Sequence, residues 1–348
     1  MYRLLFFFCL SIFFSFSQNR CGSEEYRNML IEKNLFIKQK KANQNIIRSG
    51  QYNIPVVFHV IYNNDQQNIP DSQIFSQLEV LNQDYNAQNT DFTNVPEEFS
   101  DVTGDVGINF CLAEFDPDGN PSTGITRTST EEFSFSMSDD KMKMTIEGGV
   151  DPWDTERYLN IWVCNLNGSL LGFSTYPGAD PLIDGVVIDY EYLGVLINSP
   201  YPYNLGRTAT HELGHFFGLE HTFYAGCSDW DGCDDTPPIA TSTFGCPDFP
   251  QESCNNVVSM TMNFMDYTND ACMYMFTQCQ ADIMLSTLIS QRATLLENSF
   301  CEYNNVDEFL NQKNLVKVID LLGRDTNHNR FNIHLYDDGS VEKKYIID

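Results

Sequence analysis

The chain changes hydrophobic period several times, and each change predicts an element. Leu4 to Phe16 is an almost unbroken apolar run behind Arg3, too short to span a bilayer comfortably. Ser15-Phe16-Ser17 then resembles a small-x-small cleavage site. Together they predict a signal peptide over residues 1–17, with an uncleaved anchor as the alternative. RNMLIEKNLFIKQKK places Met29, Ile31, Leu35 and Ile37 at helical spacing. From Ile54 the pattern becomes IPVVFHVIY, a β-branched and aromatic run that reads as a buried strand, with His59 as a core histidine. DSQIFSQLEVLNQDYNA returns to helical spacing from Asp71 to Ala87, with Asp71 as N-cap. INFCLAEF (108–115), YLNIWVCNL (158–166), LLGFSTYP and GVVIDYEYL read as further strands.

The second half is organised differently. Thr208 to Leu219 is helical, with Leu213, Phe216 and Phe217 as packing residues and Gly218 as the stop. Glu220 to about Phe276 has little periodicity and much Gly, Pro, Asp and Cys, which predicts loops. Gln278 to Asn298 is helical again. After Leu315, alternating residues flank Asp338-Gly339, a hairpin signal. Strands alternating with helices in the first half predict an α/β arrangement on a mixed sheet.

Composition narrows the setting. The 348 residues carry a net charge of −28. That excludes a general basic surface for nucleic acid or anionic membrane. Residues 18 to about 50 hold seven of the twenty Lys and Arg residues, a basic segment on an acidic protein, either a plain linker or an inhibitory propeptide. Of the eleven cysteines, six lie between Cys227 and Cys279; in an exported chain such clustering reads as disulfides.

The candidate chemistry lies in HELGHFFGLEH, residues 211–221, which contains three of the six histidines. His211 and His215 are one turn apart on a helix and share a face, so both imidazoles reach one metal ion. Gly218 permits the sharp turn that brings in His221 as third ligand. Three protein ligands leave a fourth position open, as catalytic zinc requires. Glu212 is placed as general base for the attacking water. A structural zinc site would not need that glutamate; the rivals are a non-catalytic zinc- or calcium-binding adhesive protein and an aminopeptidase.

This extended HExxHxxGxxH motif resembles the metzincin metallopeptidases, and within them the pappalysin family. The resemblance implies an α/β (α+β) catalytic domain over residues 51–302. Its upper part (51–218) would hold a mixed twisted sheet, a backing helix and the active-site helix. Its lower part (219–302) would be irregular, disulfide-rich and end in a helix. NFMDYTNDAC supplies a methionine turn at Met265, and Tyr267 matches the family tyrosine near the zinc. GCSDWDGCDDTP and TFGCP resemble the family's cysteine and calcium loop. That match implies Cys227–Cys254 and Cys246–Cys272 bridges and calcium ligands Asp231 and Thr236, with Asp229 and Asp235 as neighbouring candidates. Cys233 and Cys279 are extra and could form a third bridge; Cys111, Cys164 and Cys301 stay unassigned. Asp270 matches a residue at the base of the S1′ pocket, which implies Lys or Arg just after the scissile bond. Arg20-Cys21-Gly22 resembles a segment whose thiolate fills the open zinc position, so residues 18–50 are expected to be a propeptide with Cys21 as a cysteine switch.

The expected protein is a secreted, latent zinc endopeptidase, monomeric, acting on proteins or peptides, with structural calcium and without membrane insertion. Residues 303–348 resemble the terminal sorting modules of type IX secretion, which would imply a cell-surface route; a plain β-hairpin tail is the alternative.

Overall fold

The computed structural model describes residues 20–37, 50–196, 199, 201–228, 231–297 and three strands beyond residue 314. The expected signal peptide, Asp229, Cys301 and the Asp338-Gly339 turn lie outside the described residues.

A six-stranded sheet is built on the long strand β1 (Tyr52–Tyr62). The strands β2 (Thr103–Gly104) and β8 (Phe276–Thr277) form a separate antiparallel pair. One edge of β1 is shared by two parallel neighbours: β3 (Ile108–Leu112) along its first half and β4 (Ile125–Ser129) along its second. Its other edge pairs in parallel with β5 (Leu159–Cys164), which pairs with β7 (Val186–Asp189). The short strand β6 (Gly172–Ser174) closes that side antiparallel to β7.

Both faces of this sheet are buried, which is why β1 reads as a continuous apolar run rather than an alternation. Ile54, Val56, Phe58 and Val60 face a core shared with three helices. Those helices are α2 (Asp71–Asp84), α3 (Arg207–Phe216) and α4 (Gln278–Gln291). The opposite face presents Ile61, Trp162, Phe173 and Val187 to a second cluster. His59 is buried between the strands, its Nε2 3.0 Å from Asn160 Oδ1 and its Nδ1 2.8 Å from Thr126 Oγ1.

Several boundaries depart from expectation. Pro70, not Asp71, is the N-cap of α2; Asp71 sits in the first turn and pairs with Arg127. The helix α4 ends at Gln291 and is followed by a 3₁₀ turn over Ala293–Leu296. In the basic segment, α1 covers Ser23–Glu32 only. Ser23, Tyr26 and Leu30 are its buried residues; Ile31 lies on its exposed side, and Ile37 is exposed beyond its end. β4 was not foreseen: ITRTS is polar and half-exposed, since it borders only part of β1.

Among the described residues, three disulfides bind the irregular half: Cys227–Cys254, Cys233–Cys279 and Cys246–Cys272. Cys111 is also disulfide-bonded, and Cys164 is a buried free thiol. The tail forms a three-stranded antiparallel sheet of β9 (Leu315–Ile319), β10 (Phe331–Tyr336) and β11 (Val341–Tyr345), with β10 and β11 paired as the hairpin pattern requires. Among the described residues, no helix is long and apolar enough to cross a membrane.

The buried His59 predicts an acid-sensitive stability. Burial lowers its imidazole from 6.5 to about 4. Between these values the unfolded chain takes up a proton that the folded chain excludes. Stability is therefore lost as pH falls through that window, by about 3 kcal/mol from this group. Denaturant titrations from pH 7 to 4 should show a shallower acid limb for His59→Gln than for the natural chain. Parallel acid limbs would contradict it.

Candidate active site

The active-site helix α3 is fixed from both ends. At its start, the buried Arg207 pairs with Asp84 of α2, and its Nη2 lies 3.0 Å from Asp91; Thr210 also donates to Asp84 at 2.6 Å. At its end, Gly218 adopts φ +93°, and the Leu219 amide donates back to Gly214 at 2.9 Å. That turn brings His221 back beside the helix.

His211, His215 and His221 are all buried. The Nε2 atom of His221 lies 3.2 Å from His211 Nε2 and 3.0 Å from His215 Nε2. The other ring nitrogens set the tautomers. His211 Nδ1 donates to the Phe264 carbonyl at 2.6 Å and His215 Nδ1 to the Leu219 carbonyl at 2.7 Å. Their Nε2 lone pairs therefore point at one another. Burial holds all three imidazoles far down, His215 at about 3, so they are neutral ligands at any ordinary pH. The Cys21 sulfur joins them: its Sγ and the three ring nitrogens all lie within 4.8 Å of one another.

These donors fit a zinc ion. With the His221 hydrogen on Nδ1, its Nε2 lone pair meets those of His211 and His215 at 3.2 and 3.0 Å in a dry site, an arrangement that repels unless a cation separates them. Glu212 adds to the demand: it is fully buried, its Oε1 has no partner, and burial raises its carboxyl to about 8. Its Oε2 accepts from Ser23 Oγ at 2.5 Å and lies 3.5 Å from Cys21 Sγ. Burial, and then the nearby Glu212 charge, raise the Cys21 thiol.

Met265 forms the floor. Its sulfur packs so close beneath α3 that a Cβ on Gly214 would meet it at 2.4 Å. The turn is held by Asn263, which bonds the Met265 amide at 2.9 Å and pairs reciprocally with Gln280 of α4. Tyr267 borders the histidines, its hydroxyl 3.2 Å from His221 Nε2, and burial pushes its pKa up.

Asp270 is buried near the start of α3, where its Oδ2 accepts from the Leu205 and Arg207 amides. Its Oδ1 accepts from Arg20 Nη2 at 3.0 Å, with both side chains fully shielded from solvent. Arg20 also donates to the Thr268 carbonyl and lies over the Tyr203 ring. Arg20, Cys21 and Ser23 of the basic segment thus meet Asp270, the three histidines and Glu212. Gly22 donates to the Gly172 carbonyl of β6 at 3.0 Å, and the Ser174 amide donates to Ser23 at 2.7 Å. Farther on, Tyr26 donates to Asp140 at 2.6 Å and accepts from the buried Lys143 at 2.9 Å.

The calcium candidates are arranged more loosely. Thr236 Oγ1 donates to Asp231 Oδ1 at 2.6 Å, so two candidate ligands bond each other. Asp235 Oδ2 accepts from the Cys279 amide, while its Oδ1 is buried without a partner. Arg20, Ser23 and Tyr176 were not singled out by motif. Arg20 stands beside Cys21 in a quoted pattern, whereas Tyr176, which contacts His215 Nδ1 at 2.9 Å, gave no sequence signal.

A helix carrying two metal-facing histidines, a glycine turn to a third, and a methionine floor define a metzincin-type zinc metalloendopeptidase. The sequence profile of the Pregnancy-associated plasma protein-A peptidase family matches residues 144–289. An extracellular metalloprotease of Arthroderma otae is 33% identical over 239 residues, covering 66% of this chain and 74% of that protein. Mature mirolysin of Tannerella forsythia, solved with a cleaved peptide, is 45% identical with a TM-score of 0.69, covering 72% of this chain and 97% of that one. A promirolysin mutant of the same organism is 40% identical with a TM-score of 0.73, covering 80% and 97%. The chain belongs to this family, the pappalysins.

Metal analysis after dialysis against zinc and then buffer should find one ion per chain, and His215→Ala should lose most of it. Full retention by His215→Ala would place the ion elsewhere.

Proposed function

We propose that this protein is a secreted endopeptidase, made as a latent precursor, that cuts protein or peptide chains before Lys or Arg. The observation that carries the reading is the buried Arg20–Asp270 pair beside Cys21 on the three histidines. The names of the relatives above, extracellular metalloproteases and a promirolysin, agree with secretion and latency.

His211, His215 and His221 would hold zinc, which supplies a Lewis acid for the scissile carbonyl and acidifies the attacking water. Glu212 takes that water's proton and returns it to the leaving amine. Tyr267, at the rim, donates its hydroxyl to charge developing on the carbonyl oxygen. Met265 packs beneath the ligands and keeps α3 in place. Asp270 binds the cationic side chain after the scissile bond, in a pocket where charge pairing is strong because water is excluded.

Latency then has a simple physical basis. Arg20 fills the Asp270 pocket, Cys21 is placed to take the open metal position, and Ser23 binds the catalytic carboxylate. Residues 18–50 are the proposed propeptide, 51–302 the catalytic domain and 303–348 a tail of sorting type. Calcium is proposed for the loop of Asp231, Thr236 and Asp235, where a buried oxygen lacks a partner. The mature enzyme is proposed to act as a monomer without membrane insertion.

Cleavage of a proteome-derived peptide library should yield cuts before Lys and Arg. Glu212→Ala should lower the rate on the order of a thousandfold. Asp270→Ala should erase the Lys/Arg preference while some cleavage remains; a preference intact in that variant would remove Asp270 from the role. Cys21→Ala should shorten the lag before activity appears in freshly purified precursor. An unchanged lag would mean that the thiol does not maintain latency.

A further inference from the structure

A second arginine of the same segment lies in a site of its own. Arg27 Nη1 is 2.6 Å from Glu220 Oε1. Its guanidinium lies over the Tyr176 ring at 4.1 Å from the centroid and faces Tyr224 at 5.6 Å. Glu220 is held in position: Tyr176 donates to its Oε2 at 3.2 Å, and the same hydroxyl contacts His215 Nδ1 at 2.9 Å. A carboxylate and two aromatic rings that converge on one guanidinium form a receptor for a planar cation, combining charge-assisted hydrogen bonds with stacking.

Its place along the cleft follows from the course of the segment. Arg20 is at Asp270, Cys21 at the histidines, Gly22 and Ser23 along β6, and Arg27 lies beyond, on the side away from Asp270. Five residues lie between Cys21 and Arg27, and four of them are helical. That separates their Cα atoms by about 10 Å. An extended substrate covers the same distance in about three residues. If Asp270 receives the residue after the scissile bond, as proposed above, the Glu220 site serves residues before it.

We infer that Glu220, with Tyr176 and Tyr224, forms a second basic subsite that selects Arg two or three residues before the scissile bond. Arg27 occupies this subsite in the precursor. Substrates are then chains with two basic residues bracketing the cut, and Glu220 is a specificity-determining residue independent of Asp270.

Two measurements test the inference. The first uses the activated full chain, with loss of residues 20–37 verified by mass, on peptides that share Arg after the cut. Replacing Gln by Arg two or three residues before the cut should raise kcat/KM roughly tenfold, through KM. Glu220→Gln should abolish that gain and keep the preference for Arg after the cut, whereas Asp270→Ala should do the reverse. Equal turnover of the Gln and Arg peptides, or a gain that persists in Glu220→Gln, overturns the inference and leaves the endopeptidase reading intact.

The second measurement does not depend on catalysis. A synthetic peptide of residues 18–37 is titrated against the same protein carrying Glu212→Ala, beside a peptide with Arg27→Gln. The Arg27→Gln peptide should bind roughly tenfold more weakly, and adding Glu220→Gln to the protein should erase the difference. Equal affinities for the two peptides would show that Glu220 does not select the cation. Absence of all cleavage by the activated, zinc-loaded protein would overturn the proposed function instead, and the binding pair would still decide this subsite.

Discussion

Three imidazole lone pairs converge in a space from which water is excluded, and the rest of the fold is arranged around that requirement. With the His221 hydrogen on Nδ1, neutral nitrogens 3.0 and 3.2 Å apart are a repulsive arrangement until a cation is supplied. Holding them there requires a rigid helix and a fixed return of the chain. The Arg207–Asp84–Thr210 cluster fixes α3 to α2, and the Met265 turn fills the space beneath Gly214. The backbone carbonyls of Phe264 and Leu219 decide which ring nitrogen faces the metal. The buried sheet gives these contacts a stiff support, since both of its faces are packed.

The basic segment uses the same cleft with matched chemistry. A buried carboxylate such as Asp270 is costly unless a cation meets it, and Arg20 meets it with full shielding. Glu212 lacks a partner on one oxygen and receives Ser23 on the other. Asp270 and one oxygen of Glu212 are therefore met by side chains of residues 20–27. Removal of the segment would open these groups to water and leave the carboxylates without their protein partners, so a chain presenting similar groups could take the same places. On the proposed reading, latency and specificity draw on one set of interactions. A gain in substrate affinity at Asp270 also tightens the inhibitory segment.

Much of this was legible in the sequence because the zinc site is local. His211, His215, Gly218 and His221 fall within eleven residues, and helical periodicity alone puts two ligands on one face. The unbroken apolar run of β1 announced a strand buried on both faces. What escaped was non-local. Arg20 meets Asp270 across 250 positions, and no period or spacing encodes that encounter. β4 is polar because only one flank of a shared edge supports it, so its composition resembles a loop. Ile31 lies on the exposed side of α1 and Ile37 beyond its end, so the apolar spacing overstates the buried face. Tyr176 is one aromatic among many until folding sets its hydroxyl between His215 and Glu220.

The strand β6 explains how a helix-forming segment and an extended substrate can share one groove. It is an edge strand, so its outward amide and carbonyl groups are free to pair with a passing chain. The segment uses two of them: Gly22 donates to the Gly172 carbonyl, and Ser23 accepts from the Ser174 amide through its side chain. After Ser23 the segment turns into α1 and leaves the edge, so its backbone does not continue along the strand as an extended substrate would. This departure separates an inhibitor from a substrate here. The segment takes the side-chain pockets at both ends of the groove, yet the thiol of Cys21, rather than a scissile carbonyl, faces the histidines. On the proposed reading, occupation of the subsites without presentation of a peptide bond would keep the cleft closed and the segment intact.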